Sequence, residues 1–246
     1  MRVLIVKISA LGDVIHALPV LAWVKSADPA VEIDWLVEDG FAPLLEGHPL
    51  LRRVHRLSLK RWSREGWLAT LKGVRQTLSA LRKENYDVVL DLQGNSKSGL
   101  FTLFSGAPLR CGFARDGVRE WPNLLATNRK AHLDASSHHI SDRSLVVARR
   151  AFAGQHAAPL AGPMHVSPEA IATVACQLED LQLDREPLLV LQYGTTWTTK
   201  LWPLDCWQAL VQRLCEEDGL RPVLIWGNDL EHQACEAICR VSGERA

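Results

Sequence analysis

The stretch from Met1 to Pro19 limits what this chain can fold into more than any other. An apolar run, Arg2-Val-Leu-Ile-Val-Lys-Ile8, gives way to Ser9-Ala-Leu-Gly12-Asp13 and then to Val14-Ile-His16-Ala-Leu-Pro19. A buried strand that turns through small residues into a helix is a building unit of a parallel α/β sheet. It sets Ser9, Gly12 and Asp13 at the carboxyl edge of that sheet, where open α/β folds bind ligands. Spacing alone leaves Asp13 open to two roles. Its carboxylate can satisfy orphan N–H groups and complement the positive end of the helix dipole, or it can act on a ligand. Gly12 either supplies a positive φ or leaves room for something to approach the backbone.

Strand-like runs at residues 2–8, 31–37, 54–59, 86–92, 188–192 and 222–226 alternate with helix-like patterns at 14–25, 66–84, 139–153, 168–181, 204–215 and 230–242. This βα alternation predicts parallel sheets covered on both faces. Between Ala153 and Met164 the chain is poor in charge and rich in Ala, Gly and Pro, so a domain junction is expected there. Two Rossmann-like domains result, residues 1–160 and 161–246, with a cleft between them as the natural ligand site.

With 246 residues and 47% apolar content, both domains can hold a real core. No window is apolar enough for a membrane span, and the amino terminus lacks a signal-peptide pattern, which predicts a cytoplasmic protein. The six cysteines contain no C-x-x-C pair, so no metal site is expected from them. Twenty-eight basic residues balance 28 acidic ones, which argues against a nucleic-acid partner. The distribution along the chain is less even. From Arg52 to Lys83 ten Lys or Arg face a single acid, Glu65. Such a run is either a solvated helix face or an anion-binding surface, and Trp62 and Trp67 within it would also suit a lipidic partner.

In the second half, a strand is followed by Gly194-Thr-Thr-Trp-Thr-Thr-Lys200-Leu-Trp202-Pro203, either an ordinary threonine-rich turn or a phosphate cradle. It does not fit the Walker A pattern. The next strand ends in Trp226-Gly-Asn228-Asp229-Leu-Glu231. Here Asn228 or Asp229 can cap a helix, and Glu231 can either serve the helix start or accept hydrogen bonds from a ribose.

Taken together, Lys7-Ile-Ser9-Ala-Leu-Gly12-Asp13-Val14-Ile-His16, Asp91-Leu-Gln93-Gly94, Asn128-Arg129-Lys130, Thr195-Thr196 with Lys200-x-Trp202-Pro203, and Trp226-Gly227-x-x-x-Glu231 resemble the lipopolysaccharide heptosyltransferases of Gram-negative bacteria. The resemblance runs in order along essentially the whole chain. It implies a GT-B architecture, two Rossmann-like domains with parallel sheets facing a central cleft. The first would receive Kdo on lipid A and the second ADP-heptose. It further implies inverting glycosyl transfer without a metal or other cofactor, at the cytoplasmic face of the inner membrane.

By the same resemblance Asp13 is the base, with Gly12 beside the donor. Thr195, Thr196 and Lys200 meet the diphosphate, and Glu231 meets the ribose. Lys60, Arg61 and Arg64, as a basic loop, together with Arg119, meet acceptor phosphates and carboxylates. Ser9, Gln93 and His139 complete the acceptor side. The family's later Asp-Thr-Gly loop with a following His does not occur here, so the second domain is expected to be incomplete at its carboxyl end. Two alternatives accompany this reading: a non-catalytic module that binds lipid A and Kdo, and the second heptosyltransferase of the same route.

Overall fold

The structure, a computed structural model, describes residues 1–134, 137, 139–152, 162, 164–183, 188–195, 197–217, 220–241 and 243. The chain divides into two compact units, Met1–Ser167 and Pro168–Ala246. Most of the expected junction from Ala153 to Met164, including the predicted 160/161 boundary, lies outside the described residues.

In the first unit six strands form one parallel sheet: β1 (Arg2–Val6), β2 (Glu32–Glu38), β3 (Arg53–Leu57), β4 (Val88–Asp91), β5 (Leu109–Phe113) and β6 (Arg129–Ala131), in the order β3-β2-β1-β4-β5-β6. The reversal of direction between β1 and β4 is a topological switch point, and ligands of open α/β sheets bind outside the strand ends at such points. Alternation along β1 builds both cores. Val3 and Ile5 join the layer of α2 (Pro19–Ala27) and α6 (Ile140–Ala151), where Trp23 and Leu145 pack. Leu4 and Val6 join the layer of α4 (Trp67–Lys83) and α5 (Ser96–Phe104), where Leu81 and Phe101 pack.

Three local expectations need correction. The helix expected over 14–25 is two helices, α1 (Leu11–Ile15) and α2, because Pro19 lacks an N–H and starts a new helix at its first position. The expected basic loop is a helix, α3 (Leu59–Glu65), separated from α4 by Gly66 at φ 112°. The basic run is also not one surface. Arg52 binds Asp34 and Glu84, Arg53 binds Glu84, and Arg56 binds Glu46 and Asp39, so cations preceding α3 are committed to acids. Trp62 turns inward and lies where a side chain on Gly73 of α4 would stand. Only Trp67 of the two tryptophans is exposed.

The second unit contains α7 (Pro168–Asp180), a parallel pair β7 (Leu188–Gln192) and β8 (Arg221–Ile225), α8 (Leu204–Glu216) and α9 (Asp229–Val241). Its small core joins Val211, Cys215 and Ile238 to Leu191, Tyr193, Trp207 and Leu224.

Candidate active site

The turn after β4 explains how the switch point is held. Asp91, fully buried, accepts hydrogen bonds from the N–H groups of Gln93 (3.1 Å) and Gly94 (2.9 Å), from the Thr102 hydroxyl (3.0 Å) and from the Asn123 amide (2.7 Å). Gly94 sits at φ 72°, where a Cβ would press on the Phe113 ring. Its carbonyl accepts from the N–H groups of both Arg119 and Glu120. The Gln93 side-chain oxygen in turn accepts from the N–H groups of Ile8 (3.1 Å) and Ser9 (3.2 Å), which ties the turn after β4 to the turn after β1.

On this frame Asp13 occupies the third position of α1. The preceding cap residue is Ala10, which has no side-chain acceptor to offer. The Asp13 carboxylate receives the Arg119 guanidinium at 2.7 Å and lies 3.7 Å from the Lys7 ammonium. Burial pushes its carboxyl up, but Lys7, the hydrogen bond and charge of Arg119, and the Ala10 N–H outweigh this and hold it below the ordinary carboxylate range. Asp13 is therefore anionic at neutral pH, and this geometry is compatible with either reading of its role. The Ala10 N–H contact is the capping contribution, and the cations mark a charged site. Gly12 beside it is exposed, with open space around an added Cβ, so it makes room rather than serving a left-handed turn.

Lys7 is the least expected feature. It directly follows β1 and is only 2% exposed, with its ammonium donating to the Leu92 carbonyl at 3.0 Å. Burial lowers its pKa to about 8, against the opposing pull of Asp13. A cavity of about 30 Å³, room for roughly two waters, lies beside it and is lined also by Gln93, Phe113, Arg119 and Arg143. Arg143 donates to the Gly117 carbonyl and stands over the Phe113 ring. Three cations and one carboxylate thus converge at the switch point, an arrangement suited to an anionic ligand.

The other expected residues have their own local settings. Lys60, Arg61 and Arg64 line a groove of about 290 Å³ with Phe41 and Ser58. The Lys60 ammonium stands over the Phe41 ring, and Arg61 lies 3.6 Å from Glu65. His139 caps α6, accepting from the Ser141 N–H, and meets the His16 ring edge-on at 4.8 Å between centroids.

In the second unit, Lys200 is exposed at the end of a 3-10 turn, Thr198–Lys200, and the Thr195 hydroxyl accepts from the Trp197 N–H. Thr196 lies outside the described residues. Pro203 is the cap of α8. The Glu231 carboxylate accepts from the Gly227 N–H (2.8 Å) and the Asn228 amide (2.8 Å), while the Asn228 side-chain oxygen accepts from the Glu231 N–H. Glu231 thus does serve the helix start. It also lies over Gly194, where any side chain would overlap it, so the ends of β7 and β8 share one carboxylate. Among the described residues no group of three or more His, Cys, Asp or Glu is placed to hold a metal ion.

A model of the glycosyltransferase family 9 (heptosyltransferase) proteins matches residues 74–243. The chain belongs to glycosyltransferase family 9. This family 9 chain is 37% identical over 243 residues to lipopolysaccharide heptosyltransferase 1 of Pseudomonas aeruginosa, covering 95% of the chain and 63% of that relative. It is 34% identical over 239 residues to the Escherichia coli K12 protein of the same name, covering 97% of the chain and 72% of the relative. The structure of the E. coli heptosyltransferase WaaC with ADP-2-deoxy-2-fluoro heptose matches with a TM-score of 0.77 at 29% identity, over 99% of this chain and 75% of that one. The α/β architecture is thus that of the GT-B heptosyltransferases, and both curated relatives carry the type 1 name, which disfavours the two alternative readings.

The resemblance set Asp13 apart as the base and grouped Ser9, Gln93 and Arg119 with Lys60, Arg61, Arg64 and His139 on the acceptor side; of these, the structure joins Ser9 to Gln93 and Arg119 to Asp13 around the β1 and β4 turns. Sequence reasoning gave no role to Lys7 or Arg143. For Lys7 a signal existed, since a lysine in a buried apolar strand must have a partner. Arg143, on a helix rich in Arg, had none.

Proposed function

We propose that the protein transfers L-glycero-D-manno-heptose from ADP-heptose to Kdo of Kdo-lipid A, with inversion, at the cytoplasmic face of the inner membrane. The observation that carries this reading is the Asp13 carboxylate at the β1/β4 switch point, kept anionic beside Lys7 and Arg119.

In the transfer, the acceptor hydroxyl oxygen forms a bond to the anomeric carbon as the bond from that carbon to the ADP oxygen breaks. The electron pair leaves with ADP, and the hydroxyl proton passes to Asp13. A carboxylate with depressed pKa is a weak base toward a free hydroxyl. It accepts the proton late, once C–O bond formation has acidified that oxygen. Charge on the departing diphosphate is met by Lys200 and by the Thr195 and Thr196 turn with the start of α8. Glu231 accepts hydrogen bonds from the donor ribose and Gly12 leaves room at the base. On the acceptor side Ser9, Gln93, Arg119 and His139 frame the sugar, while Lys60, Arg61 and Arg64 take the lipid A phosphates. Residues 1–160 then form the acceptor domain and 161–246 the donor domain.

Asp13→Asn tests the assignment with ADP-heptose and Kdo-lipid A as substrates and ADP release as the readout. Removing a positioned base lowers kcat by about 10²–10⁴. Turnover within a few-fold of the unaltered protein would remove Asp13 from the role. Salt-sensitive binding of Kdo-lipid A without any ADP release by the unaltered protein would instead favour the non-catalytic module.

A further inference from the structure

The helix layer of the first unit that carries α4 and α5 presents an unusual outer surface. On α5 the amphipathic pattern is partly inverted, with Phe101 alone of its large apolar side chains turned into the core. Ser98, Thr102 and Ser105 face inward, bonded to Asn95, Asp91 and the helix backbone, while Leu100, Leu103 and Phe104 face outward. On α4 the first turns expose Trp67 (73% exposed), Leu68 and Leu71. Beside α5, the 3-10 turn Trp121–Leu125 exposes its two end residues, each at more than 70%. Single exposed apolar residues are ordinary. Eight large ones on adjoining elements of one layer, with polar side chains turned in beneath part of them, mark an interaction surface.

The charge on the same layer identifies the partner. Helix α4 has four Lys or Arg and no acid in its 17 residues. Lys72 and Arg75 line one shallow groove with Leu68 and Leu71, and Arg82 stands over the Phe104 ring, joining the α4 and α5 surfaces. Lys97 adds a further cation on the exposed side of α5. Apolar side chains with tryptophans and a basic fringe match the boundary between acyl chains and anionic headgroups. We propose that the outer side of α4 and α5, with the Trp121–Leu125 turn, docks on an anionic lipid bilayer. This rests on the lipid-borne acceptor proposed above, and it extends that reading from the acceptor groove of α3 to the helix that directly follows it.

The test is cosedimentation with vesicles of phosphatidylcholine alone or containing phosphatidylglycerol, together with heptose transfer to a water-soluble, deacylated Kdo acceptor. The unaltered protein is expected to bind the anionic vesicles and to release as salt rises. Leu100→Ser with Leu103→Ser and Phe104→Ser, and separately Lys72→Glu with Arg75→Glu, should each weaken vesicle binding at least tenfold and leave transfer to the soluble acceptor unchanged. Exposed apolar residues on α7, changed as Ile171→Ser with Val174→Ser, should have no effect. Binding by both α4 and α5 variants at the unaltered level would overturn the docking proposal. So would a wild-type protein that ignores anionic vesicles, or one whose variants change only its self-association. Vesicle binding without any transfer would leave the docking face standing and refute the transferase reading instead.

Discussion

Lys7→Met isolates the most unusual charge in the molecule. In the folded chain burial brings the Lys7 ammonium down to about 8 from its ordinary 10.5. At neutral pH the lysine is charged in both folded and unfolded chains, so holding it in the interior costs about 3 kcal/mol. The unfolded chain keeps this proton up to pH 10.5, whereas the folded chain releases it through pH 8. Across that window the unfolded state binds more protons, and stability rises with pH. From pH 7 to 9 the rise contributed by Lys7 is about 1 kcal/mol. Methionine occupies similar volume and carries no proton, so the variant should lack the rise.

Other groups titrate over the same range. Burial raises the Cys111 thiol to about 11, which lowers stability above pH 9, and Lys130 is lowered by burial in the same sense as Lys7. These contributions are common to both proteins, so the difference between the two pH curves reports Lys7. The Leu92 carbonyl loses its donor in the variant, at a cost of about 1–3 kcal/mol, but that cost does not vary with pH. Urea unfolding read by hydrogen exchange of the β1 and β4 amides between pH 7 and 9 measures the difference. Parallel curves would refute the argument that the folded chain holds a strained charge at this position. The same variant removes the cation 3.7 Å from Asp13, whose carboxyl should rise. The acid limb of kcat/KM then moves to higher pH.

Two further outcomes follow from local geometry. Gly194→Ala places a methyl group on the Glu231 carboxylate, which must abandon its Gly227 and Asn228 partners, so ADP affinity measured by calorimetry should fall several-fold while the first unit keeps its stability. Asp91→Ala strands four donors in the interior and should destabilise the first unit by about 3 kcal/mol or more, with exchange at the Gln93 and Gly94 amides accelerated; unfolding at the wild-type urea midpoint would contradict it.

How far the sequence was legible depended on how local each cause is. The β1 unit was readable because a seven-residue apolar run leads straight into a small-residue turn, and both cores draw on its alternation. Strands β5 and β6 were missed. β5 contains Arg110 and Gly112, the latter required because a Cβ there would strike Thr127, and β6 is a three-residue edge strand with two cations. Neither forms the continuous apolar run that signals a buried strand. Their place is fixed by pairing with β4, a long-range cause.

Helix α5 escaped detection for a different reason, and it links the fold to the site. Pattern reading assumes that apolar stripes face the core. In α5 the inner stripe sets polar residues beside Phe101, because Asp91, at the end of β4, needs Thr102 and, through the neighbouring turn, Asn123 as donors. That buried carboxylate fixes the Gln93 and Gly94 turn, Gly94 fixes the Arg119 backbone, and Arg119 reaches Asp13. The helix is therefore partly polar inside because the switch point is built from hydrogen bonds, and Leu100, Leu103 and Phe104 are left to the outer surface. One arrangement orders the Asp13 site and creates the exposed stripe, so loss of Asp91 should disturb both together.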